Sequence, residues 1–189
     1  MWHITMQYIP YNTDVAFLRI KQDYISSAYY RLAFFIHAYT AILTLAAGFT
    51  QFSGRIRQQY PVIHRWSGYI YLLIVLFLAG PSGFVIGIHA NGGWTSQLGF
   101  CLLALFWMYF TARAWQAARK KSWLLHRDFM IRSFALALSA ITLRMWKYAF
   151  VALFSPRPMD VYRVVAWLGW CLNLLIAEWI IFQLHKKRI

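Results

Sequence analysis

Residues 32–50 read LAFFIHAYTAILTLAAGFT, a stretch with no full charge and a single histidine, His37. As a helix it is about 28 Å long, close to the ~30 Å hydrocarbon core of a bilayer. Composition supports a membrane span over a buried core helix. The 189 residues are 61% hydrophobic, 20% aromatic and 13% charged, against roughly 45–50% apolar and about 25% charged in soluble domains. Four further apolar stretches follow the first. The spans predicted are Ala28–Thr50, Ile63–Ile88, Thr95–Ala118, Arg127–Phe154 and Val161–Leu184, with turn chemistry at Ser53-Gly54, Tyr60-Pro61, Asn91-Gly92-Gly93 and Ser155-Pro156-Arg157-Pro158. The expected fold is all-α: an integral membrane bundle of five transmembrane helices over residues 28–189, preceded by an N-terminal interfacial segment, 1–27. Gly80-Pro81-Ser82-Gly83 inside the second span predicts a kink.

The net charge of +14 does not point to nucleic acid, because the basic residues cluster at helix ends as membrane topology places them. One side carries Arg55, Arg57, Arg65, Arg113, Arg119, Lys120, Lys121, Arg127, Lys186, Lys187 and Arg188. The other carries Arg19, Lys21, Arg31, Lys147, Arg157 and Arg163. The richer side is expected to be cytoplasmic, which puts the C-terminus inside and the N-terminus outside a prokaryotic plasma membrane. Asp14, Arg19, Lys21 and Asp23 are expected on the wet face of the N-terminal segment. No charged leader with a short apolar core and small-residue cleavage site opens the chain, so a cleaved signal is not expected. Cys101 and Cys171 stand far apart in apolar segments and read as small core residues.

Several ionisable groups fall inside apolar segments. Each costs at least ~2.5 kcal/mol in lipid and therefore tends to face the bundle interior. On the first helix His37, Thr40, Thr44, Gly48 and Gln51 share a face. On the second His64, Gly68, Tyr71, Val75 and Ser82 do so, and on the fourth His126, Met130, Ser133, Ala137, Ala140 and Arg144. Counting from helix ends puts His64 and His126 at one membrane level and gives Arg132 and Glu178 a shared depth, which predicts an ion pair. His37, Arg144 and Asn173 fall near one depth in the outer half. His89 reads as an interfacial loop residue, and His3 and His185 as solvated.

Inward histidines on different membrane helices are a way of holding b-type haem. In this reading His64 and His126 are the metal-ligating residues, Arg65 and Arg127 meet the propionates, and Gly68 gives the porphyrin room one turn from His64. His37, Arg144 and Asn173 would then donate hydrogen bonds to a quinone head group. The bland alternative for His64-Arg65 and His126-Arg127 is a headgroup-binding patch. Zinc is disfavoured for want of thiolate and carboxylate partners. No hydrolase, nucleotide-binding or zinc-protease motif is present.

The run from Tyr8 to Lys147 resembles an uncharacterised prokaryotic family of predicted membrane proteins, a domain of unknown function. The matching pieces are Ala16-Phe17-Leu18 with Lys21-Gln22, His37, Ala47-Gly48-Phe49-Thr50-Gln51-Phe52, Pro61 with His64-Arg65 and Gly68, and Gly80-Pro81-Ser82-Gly83. Ala90-Asn91-Gly92-Gly93, His126-Arg127, Met130-Ile131-Arg132-Ser133 and Thr142-Leu143-Arg144 complete the pattern. The resemblance implies a multi-pass bundle and no established activity. A looser similarity is to transmembrane b-type cytochromes and ferric reductases, which place histidines on successive core helices. Two functions are open at this point. One is a haem-binding electron-transfer component of a membrane oxidoreductase, linked to quinol or to a membrane redox partner. The other is a non-redox binding or transport module for an anionic or lipidic small ligand, or an accessory subunit of a membrane complex.

Overall fold

The computed structural model describes residues 5–9, 13–155 and 157–187. His3, Pro156 and Arg188, which enter the sequence argument, lie outside them. All regular structure among the described residues is helical. The chain divides into two compact units, residues 1–89 and 90–189.

In the first unit a 3₁₀ helix, Ala16–Lys21, and one helical turn, Gln22–Ile25, lead into α1, Ala28–Phe52. A short helix, Gly54–Gln59, follows, capped by Ser53, whose hydroxyl accepts from the Ile56 amide at 3.3 Å. Then comes α2, Pro61–Ile88, long and apolar enough to cross a bilayer, as is α1. Pro61 suits the first helical turn, where its missing N–H has no partner to lose. The irregularity expected around Pro81 takes the form of a π-helical turn over Ile74–Ala79. There the Gly80 amide donates to Val75 O, five residues back. The wider turn accommodates a ring that would otherwise crowd the preceding carbonyls. The predicted stripes face inward: Thr44, Gln51, Tyr71, Val75 and Ser82 are all buried. α1 and α2 run antiparallel, since Gln51 meets His64 at one end and His37 meets Ala79 at the other.

The N-terminal segment is more than an interfacial strip. Tyr8, Leu18 and Ile25 form a buried cluster with Tyr30, Phe34 and Phe35 of α1. The Tyr8 ring meets Phe34 edge-on at 5.1 Å, and Tyr39 donates to Tyr8 O at 2.8 Å. Aromatic pairs of this geometry add about 0.5–1.5 kcal/mol beyond their buried area, which favours folding back onto α1 over lying flat. Asp14, Arg19 and Asp23 are exposed as expected, but Lys21 is 2% exposed. Its ammonium donates to the carbonyl of His89, the residue that caps the end of α2, and lies 4.9 Å from the centroid of the Tyr24 ring. Carbonyls at a helix C-terminus lack helical partners and carry partial negative charge, so a cation belongs there.

In the second unit α3, Trp94–Arg119, is followed by α4, Trp123–Ala137, α5, Ser139–Phe154, and α6, Pro158–Lys186. α3 and α6 are each long and apolar enough to cross a bilayer; α4 and α5 together make the fifth candidate span. The sequence predicts one helix over 127–154, whereas the structure breaks it at Leu138 with a bend of 41°. No proline or glycine lies there, and the cause is a side chain from another helix. The Asn173 amide of α6 donates to Ala135 O at 3.0 Å and to Thr142 Oγ1 at 3.1 Å. Thr142 in turn donates to Gly169 O at 2.7 Å. A polar group inserted into the carbonyl ladder is a recognised origin of a sharp bend. Gly169 permits the crossing, for a Cβ there would stand 3.2 Å from the Leu143 Cα.

Two outcomes follow. Asn173→Leu removes both donors at the break and lowers unfolding stability in detergent by about 1–3 kcal/mol; an unchanged melting temperature contradicts that role. Burial pushes the Lys21 amine below its ordinary range, with Asp23 opposing more weakly. The undocked segment therefore binds the proton more tightly, and the desolvation penalty is present below the docked pKa. That penalty fades as pH rises through the docked value toward the usual lysine value. Proteolytic protection of the N-terminal segment should thus rise as pH climbs toward the ordinary lysine value of about 10.4. The Tyr24 ring and the His89 carbonyl meet this ammonium, and Asp23 is the charge acting on it, so the comparison is with Lys21→Met, which loses the lysine contribution. Identical pH profiles for the two proteins contradict the assignment.

Candidate functional site: carbonyl-anchored histidines and a buried carboxylate

Three histidines, His37, His89 and His126, place Nδ1 against a backbone carbonyl. His37 Nδ1 lies 2.9 Å from Ala79 O, and His126 Nδ1 lies 2.9 Å from Ala114 O. A carbonyl only accepts, so Nδ1 holds the proton, and in the neutral ring Nε2 carries the lone pair. His89 is fixed likewise by Val85 O at 3.0 Å, but its Nε2 is 2.8 Å from the Tyr29 hydroxyl. It stands in the turn just past α2, at the hub of an aromatic cluster, with the Tyr24 and Tyr30 ring centroids 4.8 and 5.4 Å away. Nε2 of His126 accepts or donates no hydrogen bond among the described residues.

Each of these positions follows from local sequence. Gly83, one turn after Ala79, leaves room for the His37 ring, since a Cβ there would stand 3.0 Å from its Cε1. Ser122 accepts the His126 amide through its carbonyl at 2.9 Å and starts α4. The ring of His126, four residues into that helix, thus reaches back to the last turns of α3.

Gly68 does leave space one turn from His64, but the side chain of Gln51 fills it. A Cβ on Gly68 would meet Gln51 Oε1 at 3.1 Å. Gln51 Nε2 donates to His64 O at 3.1 Å and to Ser67 Oγ at 2.6 Å. The glycine therefore serves the crossing of α1 and α2, and the porphyrin clearance assigned to it is already occupied. His64 is half-buried and Arg65 exposed.

Arg127 is committed as well. Asp128, 4% exposed, accepts from Arg127 Nε at 3.1 Å and Nη2 at 2.9 Å on one oxygen. Its other oxygen lies 2.7 Å from His185 Nε2 on the last turn of α6. The expectation of a merely solvated His185 is thus corrected: the ring is half-exposed but paired. The charge proposed for a propionate is already compensated by Asp128. The sequence reading passes over Asp128, although with only five acidic residues in the chain each carboxylate beside a candidate site is a signal.

Arg132 and Glu178, placed at one depth by counting, form a two-armed ion pair of 2.5 and 2.8 Å. Arg144 donates from Nη1 to Ala140 O in its own helix. Both N–H groups of Asn173 are engaged at the α4/α5 break, and the proton of neutral His37 is engaged by Ala79 O. In this arrangement those donors hold helices together. Cys101 and Cys171 are unbridged and half-buried. No cluster of three or more His, Cys, Asp or Glu suited to a metal ion occurs among the described residues.

Asp128→Asn should lower stability by about 1–3 kcal/mol, since it leaves a guanidinium and an imidazole facing a neutral amide. His185→Gln, at the exposed end of the same contact, should cost less. A thermal melt that ranks the two the other way contradicts the central place given to the carboxylate.

Comparison with known proteins places this geometry in a family context. No curated protein and no solved structure matches the chain. A family does: the one described as "Predicted membrane protein (DUF2306)" matches residues 34–181, which hold α1 through nearly all of α6. With more than three quarters of its length matched, the chain belongs to this family of predicted membrane proteins.

Proposed function

We propose that the chain is a b-type haem-binding electron-transfer module of the membrane, with the imidazole of His126 as an axial ligand. The observation that carries the reading is the Nδ1 hydrogen bond of His126 to Ala114 O at 2.9 Å. A ligating histidine characteristically donates its other ring N–H to a carbonyl or carboxylate, which fixes the tautomer and raises the basicity of the ligating nitrogen. His126 has that anchor already made, and its Nε2 has no competing hydrogen bond among the described residues. His37 has the same anchor on Ala79.

The residues fit the group unevenly. The donor chemistry of His126 suits iron. Of the two arginines considered for propionates, Arg65 is exposed and Arg127 is compensated by Asp128. Bound haem would supply a one-electron ferric/ferrous couple. The chain's own contribution is to hold the imidazole in one tautomer and to shield it within apolar helices, where axial ligation and burial set the potential. The electron source in this reading is a quinol of the bilayer or a membrane redox partner.

The test is the absorption spectrum of detergent-purified protein from haem-replete cells. A Soret band that shifts and sharpens with dithionite is expected. His126→Ala should abolish or strongly alter it, while His185→Ala leaves it unchanged. A colourless, folded preparation contradicts the reading.

A further inference from the structure

The second unit carries a surface suited to an anionic amphiphile, around the turn that joins α3 to α4. The carboxylates at that end of the unit are engaged: Asp128 with Arg127 and His185, Glu178 with Arg132. Arg113 and Arg119 form no ion pair among the described residues. Instead their guanidiniums lie against rings. The Cζ of Arg113 is 5.3 Å from the Phe129 centroid and 5.8 Å from that of Tyr109; the Cζ of Arg119 is 5.2 Å from that of Trp115. A guanidinium resting on an aromatic face is more weakly hydrated than an ammonium and keeps its N–H edge for planar, two-pronged recognition of a phosphate.

The surroundings select the kind of phosphate. Leu98, Leu105 and Tyr109 are exposed on α3 and lie at seven- and four-residue steps, and Arg113 continues that stripe by four more. From Leu105 to Arg113 the helix climbs about 12 Å, most of the ~15 Å hydrocarbon depth of one leaflet. Trp115 and Trp123 are exposed near the same helix ends, where aromatic side chains mark the level of headgroups. Lys120 and Lys121 follow in the turn, Lys121 in the left-handed conformation at φ 56°. An apolar stripe ending in the guanidinium of Arg113, with that of Arg119 further along the same helix toward its end, matches an acyl chain ending in a negatively charged headgroup. A free anion would have no use for the stripe.

We propose that this surface binds an anionic phospholipid, with Arg113 and Arg119 holding the headgroup phosphate and the Leu98–Tyr109 stripe holding an acyl chain. The test is thermal unfolding of the detergent-purified full chain titrated with phosphatidylglycerol, phosphatidylcholine or inorganic phosphate. Phosphatidylglycerol should raise the melting temperature saturably, and the other two should not. In Arg113→Gln/Arg119→Gln the midpoint of that titration should move at least about tenfold, which is ~1.4 kcal/mol. Arg55→Gln, on the other unit, should leave it in place. Equal stabilisation by phosphatidylcholine, stabilisation by inorganic phosphate alone, or a double variant titrating like the wild type would each overturn the proposal. If the double variant fails to fold, retention of phosphatidylglycerol over phosphatidylcholine by the wild-type chain after detergent exchange, read by mass spectrometry, decides it. Equal retention would overturn the proposal.

Discussion

A helix carbonyl inside hydrocarbon has no water to turn to, and a polar side chain on the next helix has none either. Both are satisfied when they find each other. That constraint organises each unit. Ala79 O meets His37, Ala114 O meets His126 and Ala135 O meets Asn173, each at about 3 Å across a helix–helix contact. Two of the three carbonyls lie where a helix departs from regularity, at the π-turn before Pro81 and at the break before Ser139. The irregular backbone and the polar side chain are complementary parts of one contact. Removing either leaves the other exposed to an apolar surrounding.

The same contacts tie structure to chemistry. A histidine that donates Nδ1–H to a carbonyl is held in a single tautomer, with its lone pair on Nε2. What serves as a structural tie is therefore also a prepared ligand. It is equally a constraint: a residue whose donors hold two helices together is unavailable for a diffusing ligand. This separates His126, with an Nε2 that makes no hydrogen bond among the described residues, from Asn173, whose two donors are both engaged. At one end of the second unit, carboxylates compensate Arg127 and Arg132 and leave Arg113 and Arg119 resting on rings. The arginines of this end thus divide between ion pairing and ring contact.

Much of the architecture was legible in the amino-acid sequence because burial in lipid is written residue by residue. The apolar runs marked the helices to within a few residues, and the three-and-four spacing marked the faces that hold Thr44, Tyr71 and Ser133 inside. Counting along helices sufficed to pair Arg132 with Glu178, since axial depth follows from chain position. Contacts that depend on lateral placement were not legible. Leu138 carries no sign of a break, because the break is made by Asn173, 35 positions later. Asp128 and His185 stand 57 positions apart, and neither lies in a repeating pattern. Lys21 reads as a surface cation in a polar stretch; only the fold-back of Tyr8 and Leu18 onto α1 encloses it. Gly68 offered space, but what fills space is a property of the neighbouring helix.

The central claim is that backbone carbonyls set the protonation of the His37 and His126 imidazoles. The most direct measurement is the ring ¹⁵N chemical shift of histidine-labelled protein at neutral pH in detergent or bilayer. For His126 the account predicts a protonated, pyrrole-like Nδ1 and an unprotonated, pyridine-like Nε2. A protonated Nε2 with a bare Nδ1 in the folded chain would contradict it.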